Sequence, residues 1–198
     1  MSSRLYLAST SPYRAEHLRR LQIPFAIEAP DTDETAHAGE RPEARALRLA
    51  RVKAAAVADR HSGSWVIGAD QVAVCRGRVL GKPGGVDRCR EQLAASSGRS
   101  VEFHTAVVLL RAEADFAAEH IDRTVVRFRT LTPEEISRYV EIDRPFDCAG
   151  GFRSEGLGIT LFQSIETSDP TALVGLPLIW VAGALRAAGF DSLAPAQP

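Results

Sequence analysis

The sequence predicts an α/β protein built on a mixed sheet, and three observations carry that prediction. Short apolar strands alternate with helical stretches through the first half of the chain. A turn signal, Cys75-Arg76-Gly77-Arg78, joins two strand-like runs in the middle, so part of the sheet is antiparallel. The composition, 45% apolar and 25% charged over 198 residues, is that of a globular chain with one good core. No repeat, linker or low-complexity segment interrupts it, so residues 1–198 read as one domain or two tight lobes.

Composition also excludes function classes. A net charge of −1 leaves no overall basic field for nucleic acid or an acidic membrane. Cys75, Cys89 and Cys148 are odd in number, widely spaced and without a CxxC pair, which suits reduced thiols in the cytoplasm. The opening Met1-Ser2-Ser3-Arg4-Leu5-Tyr6-Leu7 reads as neither a signal peptide nor an anchor. No apolar run approaches the roughly 20 residues of a spanning helix.

In order, Leu5-Tyr6-Leu7-Ala8 reads as a buried strand. Ser11 then caps a helix with Pro12 at its first position, Leu18 and Leu21 on its apolar edge, and Ile23-Pro24 at its end. Strand, hydroxyl-rich turn and helix start together make either a well-capped surface helix or an anion site, where Ser9, Arg14 and backbone N–H groups converge. Phe25-Ala26-Ile27 is a second strand, stopped by Pro30. Asp31-Thr32-Asp33-Glu34-Thr35 matches the DxDxT nucleophile motif of haloacid-dehalogenase-type phosphatases. There the first Asp directly follows a hydrophobic strand. Here Glu28, Ala29 and Pro30 intervene, so the match is fortuitous and the stretch is an acidic loop able to reach a cleft.

Arg41 to about His61 is a helix, with Ala46, Leu47, Ala50, Ala54, Val57 and Ala58 at helical spacing. Lys53 lies among these alanines, either solvated or stretched along apolar surface with its ammonium in a cleft. Trp65 to Ile67 and Val72 to Val74 flank Gly68-Ala69-Asp70-Gln71. A carboxylate there is costly unless it meets a cation or a proton, and the small Gly68 and Ala69 admit a close neighbour. Val79-Leu80 returns as a strand and Gly81-Lys82-Pro83 ends it, which sets Lys82 beside the Asp70 strand.

Val86 to about Ser97 is a helix with Leu93 inward. Val101 to Leu110 and Ile121 to Leu131 read as an antiparallel hairpin, turning between Arg111 and Phe116. Thr132-Pro133-Glu134-Glu135 carries a capping box that starts a helix ending near Ile142. Cys148 to Gly158 is a glycine-rich loop with Glu155 in its middle. Ile159 to Phe162 and Ile165 read as short strands. Gly175-Leu176-Pro177 opens a last helix to Ala188, apolar nearly all round and therefore core, with Gly189 as its stop and a frayed tail after Leu193.

Ser9, Arg14, Glu34, Lys53, Asp70 and Lys82 bring three cations and two acids from separate elements, the residue types that work on polyphosphate requires. Cations hold phosphate oxygens. Carboxylates hold a hydrated Mg²⁺ or Mn²⁺ or take a proton from water.

These motifs resemble the Maf family of nucleoside triphosphate pyrophosphatases. Leu7-Ala8-Ser9-Thr10-Ser11-Pro12-Tyr13-Arg14 is similar to its LAS-x-SPRR opening, and Arg48-Leu49-Ala50-Arg51-Val52-Lys53-Ala54 to its RLA-x-x-KA helix. Gly68-Ala69-Asp70, Gly81-Lys82-Pro83 and Val174-Gly175-Leu176-Pro177 follow in register. The resemblance implies a Maf/inosine-triphosphatase-like α/β fold: a mixed twisted sheet flanked by helices, with two lobes and a cleft between them. It implies cleavage between the α and β phosphates with a divalent metal, Mg²⁺ or Mn²⁺. Asp70 would be the proton acceptor, Ser9, Arg14, Lys53 and Lys82 the phosphate-side residues, and Glu34 with Asp70 the metal side. The partner would be a small-molecule nucleotide, and family habit implies a homodimer.

Tyr13, Gln71 and Glu155 depart from the thymidine/uridine triphosphate branch of the family, which has Arg, Thr and Gln there. They resemble the branch acting on 7-methylguanosine triphosphate (7-methyl-GTP), where the first position is usually Trp. A methylated guanine is cationic, so an aromatic face and a carboxylate both favour it. The resemblance therefore implies hydrolysis of 7-methyl-GTP to 7-methyl-GMP and diphosphate, clearing modified nucleotides, with a link to arrest of cell division. The alternatives are a dTTP/UTP pyrophosphatase of the sister branch and a non-catalytic nucleotide-binding regulator of division.

Overall fold

The computed structural model describes residues 4–111 and 116–193. The expected turn between Arg111 and Phe116 falls largely outside them, as does the tail beyond Leu193. The elements are β1 (Leu5–Ala8), α1 (Pro12–Arg19), β2 (Ala26–Glu28), α2 (Pro42–Ala58), β3 (Trp65–Cys75), β4 (Arg78–Leu80), α3 (Val86–Ser96), β5 (Ser100–Arg111), β6 (Phe116–Phe128), α4 (Pro133–Asp143), β7 (Phe162–Glu166) and α5 (Leu178–Ala187). The described strands are hydrogen-bonded in the order β2-β1-β3-β5-β6-β7, with β4 on β3. β1 pairs parallel with β2 and β3, while β3–β4 and β6–β7 are antiparallel. The sheet is mixed and helices flank it, as the alternation of elements predicts. No helix among the described residues is long and apolar enough to cross a membrane.

The chain divides into two compact units. The first comprises residues 1–70, 105–121 and 169–198; the second comprises 71–104 and 122–168. In the first, Trp65, Ile67 and Ala69 of β3 join Leu5, Leu7, Leu18, Val107, Val181 and Leu185 in one apolar cluster. Alternation turns Val66, Gly68 and Asp70 to the other face, where α2 lies. A Cβ on Gly68 would sit 2.2 Å from the Ala50 carbonyl oxygen and 2.8 Å from the Ala54 Cβ. The close neighbour that Gly68 admits is thus α2 itself.

In the second unit, Phe103, Phe128, Phe152 and Phe162 pack edge to face, with centroids 4.9–5.5 Å apart. Asp122 is buried, and its carboxylate accepts hydroxyl hydrogen bonds from Thr124, Thr167 and Ser168. The capping box at Thr132 and Glu135 forms as the sequence predicts.

Several expectations shift. α1 ends at Arg19 rather than at Ile23, and Gln22 turns the chain at φ 56°. β3 is one continuous strand, because the small and polar residues at 68–71 keep their ladder positions. Residues 157–161 form a 3-10 helix in place of a strand. α5 is amphipathic rather than core all round: Leu178, Val181 and Leu185 are buried, but Ile179 is 65% exposed. On α2 the buried apolar position is Leu49, with Leu47 only half-buried.

Candidate functional site

Residues 46, 49, 50, 53, 54, 57 and 58 form the buried seam of α2, and Lys53 occupies a seam position otherwise held by Ala, Leu and Val. It lies one turn beyond Ala50, which packs on Gly68, and Asp70 is the next residue on the same face of β3. The spacing of the two elements therefore brings Lys53 to Asp70. Their side chains meet at 2.7 Å, and the residues are only 5% and 7% exposed. A lysine so deeply placed needs a charge partner, because an unpaired buried ammonium costs several kcal/mol. Glu34 supplies a second carboxylate at 2.6 Å from the same Nζ, its own side chain 57% exposed.

The loop that carries Glu34 has no regular structure between β2 and α2. Arg45 Nη2 donates to the Glu34 carbonyl and Arg48 Nη2 to that of Thr35, each at 3.2 Å. Arg48 also grips Glu40 with two bonds of 2.7 Å. That fork is the first cause of the Glu40 carboxyl falling to about 2. Arg45 and Arg48 were given no role by sequence reasoning. Their i, i+3 spacing on a helix beside an irregular acidic loop is the signal that could have found them.

At the start of α1, Ser9 Oγ accepts from the Ser11 N–H at 3.1 Å and Ser11 Oγ from the Arg14 N–H at 3.4 Å. Two of the N–H groups expected to face an anion are thus held by their own serines. Arg14 Nε donates to the Gly175 carbonyl at 3.0 Å. Burial lowers the Arg14 pKa, and the negative charges of Asp70 and Glu34 act against that shift. Gly175 has φ +107°, and a Cβ there would lie 3.2 Å from Arg14 Nε. The segment before α5 is fixed by Asp169, whose carboxylate accepts from the N–H groups of Ile179 (2.7 Å) and Thr171 (2.9 Å). Thr171 Oγ1 accepts from the Leu178 N–H at 2.8 Å.

The first unit thus gathers Arg14, Glu34, Lys53 and Asp70, with Ser9 buried at the end of β1 and Tyr13 half-buried on α1. Gln71, Lys82 and Glu155 belong to the second unit. Gln71 is half-buried and follows Asp70 on β3, facing the other way. Lys82 is exposed after β4, between a Gly81 carbonyl that accepts from Gln92 and a Gly84 N–H that donates to Phe146. Glu155 is exposed, and the Ser154 hydroxyl donates to it at 3.2 Å.

Among the described residues, no group of three or more His, Cys, Asp or Glu side chains gathers as a metal site. Glu34 and Asp70 nonetheless converge on one cation, the Lys53 ammonium. Two carboxylate donors suit Mg²⁺, which keeps several waters and takes its remaining ligands from substrate phosphate. Positive groups beside a carboxylate able to take a proton suit displacement at phosphorus.

A family model described as Maf-like protein matches residues 4–188. A protein named 7-methyl-GTP pyrophosphatase from Xanthomonas oryzae pv. oryzae (strain KACC10331 / KXO85) is 55% identical over 190 residues, 96% of this chain and 98% of its own. Proteins of the same name from Albidiferax ferrireducens and Alcanivorax borkumensis are 50% and 49% identical, covering 96% and 94% of this chain and 96% and 95% of theirs. The solved structure titled "The structure of the Staphylococcus aureus Ham1 protein" is similar at a TM-score of 0.45 and 14% identity, over 64% of this chain and 72% of that one.

Proposed function

We propose that this chain, which belongs to the Maf family, hydrolyses 7-methyl-GTP to 7-methyl-GMP and diphosphate. The observation that carries this reading is the buried Lys53 ammonium bridging Asp70 and Glu34, with Arg14 in their field. The name borne by its full-length relatives supports the substrate.

In the proposed reaction, water attacks the α-phosphorus and gives its proton to the Asp70 carboxylate. The bond from the α-phosphorus to the bridging oxygen breaks, and diphosphate leaves with that oxygen and its electron pair. Arg14, Lys53 and Lys82 bind the phosphate oxygens, with the Ser9 hydroxyl as a further donor. Glu34 and Asp70 would hold a divalent metal, Mg²⁺ or Mn²⁺, which when bound would neutralise charge on the phosphates.

Tyr13, Gln71 and Glu155 select the base. Tyr13 offers an aromatic face to a cationic ring. Glu155 offers two acceptors to the guanine N1–H and exocyclic amine, where a Gln would present one acceptor and one donor. A homodimer, clearance of modified nucleotides and a link to division arrest complete the reading, each supported by the family resemblance, and the three widely spaced cysteines support a cytoplasmic location.

The test is diphosphate release from 7-methyl-GTP, GTP, dTTP and UTP, with metal omitted and then restored. 7-Methyl-GTP should be turned over best, and only with metal. Preference for dTTP or UTP would overturn the branch assignment.

A further inference from the structure

The glycine-rich loop holding Glu155 is tied to α4 and to the aromatic cluster of the second unit. Phe152, three residues before Glu155, is buried in the aromatic cluster of the second unit. The next residue closes a ring of hydrogen bonds with α4. The Arg153 N–H donates to Tyr139 Oη at 3.1 Å, and the Tyr139 hydroxyl donates to Asp143 Oδ2 at 2.7 Å. Asp143 Oδ1 accepts from Arg153 Nη2 at 2.8 Å, and the Asp143 carbonyl accepts from that same nitrogen. Burial, followed by the bond to Asp143, raises the Tyr139 pKa, so the phenol stays protonated and can donate.

Beyond Arg153 the chain wraps its own carbonyl. A Cβ on Gly158 would lie 2.3 Å from the Arg153 oxygen, and one on Gly156 would lie 3.3 Å from Asp143 Oδ1. Only Ser154 and Glu155 separate the clamp from these tight contacts, and Glu155 points from the exposed tip.

We propose that Tyr139, Asp143 and Arg153 are positioning residues for base selection, holding Glu155 where its carboxylate reads the nucleobase. The proposal rests on the reading of Glu155 above. The frame fixes the backbone on both sides of one exposed acid, so its loss should blur selectivity before it reduces phosphate chemistry. A pre-organised acceptor pair discriminates between bases, whereas a loose one adapts to either.

The experiment measures kcat/KM for 7-methyl-GTP and for UTP in wild type, Glu155→Gln, Tyr139→Phe and Asp143→Asn, and in each of the last two combined with Glu155→Gln. Arg153→Lys, at the more exposed corner of the ring, is the further variant should the α4 changes lower folding. Each frame variant should cut the 7-methyl-GTP/UTP ratio by about tenfold, the scale of one lost hydrogen bond to a charged group. It should cut the ratio no further in the Glu155→Gln background. Equal losses for both nucleotides, or losses that add to that of Glu155→Gln, would overturn the frame and leave the role of Glu155 standing. An unchanged ratio in Glu155→Gln alone would overturn the role of Glu155 and the frame with it.

Discussion

Lys53 Nζ lies 2.7 Å from Asp70 Oδ1, and neither residue is exposed beyond 7%. The pair joins a helix seam to a strand interior and places the proposed base beside a fixed positive charge. Asp70→Asn should lower diphosphate release by roughly a hundredfold or more while circular dichroism stays native. Full turnover in that variant would overturn the assignment of Asp70 as the proton acceptor.

Lys53→Met removes the shared cation and leaves Asp70 buried without it. Urea denaturation should show a loss of about 3 kcal/mol, the scale of breaking a buried pair from one side. Turnover should fall as well. A variant as stable as wild type would mean that water reaches Asp70 freely.

Gly68→Ala places a methyl group 2.2 Å from the Ala50 carbonyl oxygen. α2 must shift or strain, at about 3 kcal/mol. Because Lys53 rides on α2, kcat should fall by more than thermal unfolding explains at the assay temperature. Normal stability and kcat would contradict the close packing.

Gly175→Ala strains a φ of +107° and pushes a Cβ to 3.2 Å from Arg14 Nε. If Arg14 holds phosphate in substrate and transition state alike, KM should rise about tenfold with little change in kcat. A change in kcat alone would assign Arg14 to the transition state instead.

Glu40 is depressed from 4.5 to about 2, chiefly by the hydrogen bonds from Arg48. Its folded pKa lies below its unfolded one. Its contribution to stability is therefore present above 4.5 and is lost as pH falls towards 2. Glu40→Gln should flatten the decline in melting temperature across that window. An unchanged slope would show that the Arg48–Glu40 contact does not persist in solution.

Local physics made many elements legible. Ser11 and Pro12 start α1, Thr132 and Glu135 start α4, and the Arg76-Gly77 turn sits at positive φ where β3 meets β4. Each depends on groups within a few residues of one another. Less legible were Leu49 as the buried residue of α2, the 3-10 helix at 157–161 and the exposed side of α5. Those depend on which neighbour covers a face, and no short window contains that neighbour. Lys53 is the sharpest case: its sequence surroundings leave open both a solvated lysine, the usual state, and a cleft lysine.

By itself, the sequence determined the periodicities, the caps and turns, and the order of motifs that marks the family, because these are written in adjacent residues. Only the tertiary structure decided that Lys53, Asp70 and Glu34 share one charge centre and that Arg45 and Arg48 hold the Glu34 loop. It also decided that Asp143 and Tyr139 brace the segment before Glu155. The physical reason is that a buried charge or an irregular loop is stable only with partners from other elements, and Lys53 and Asp70 stand 17 positions apart in the chain.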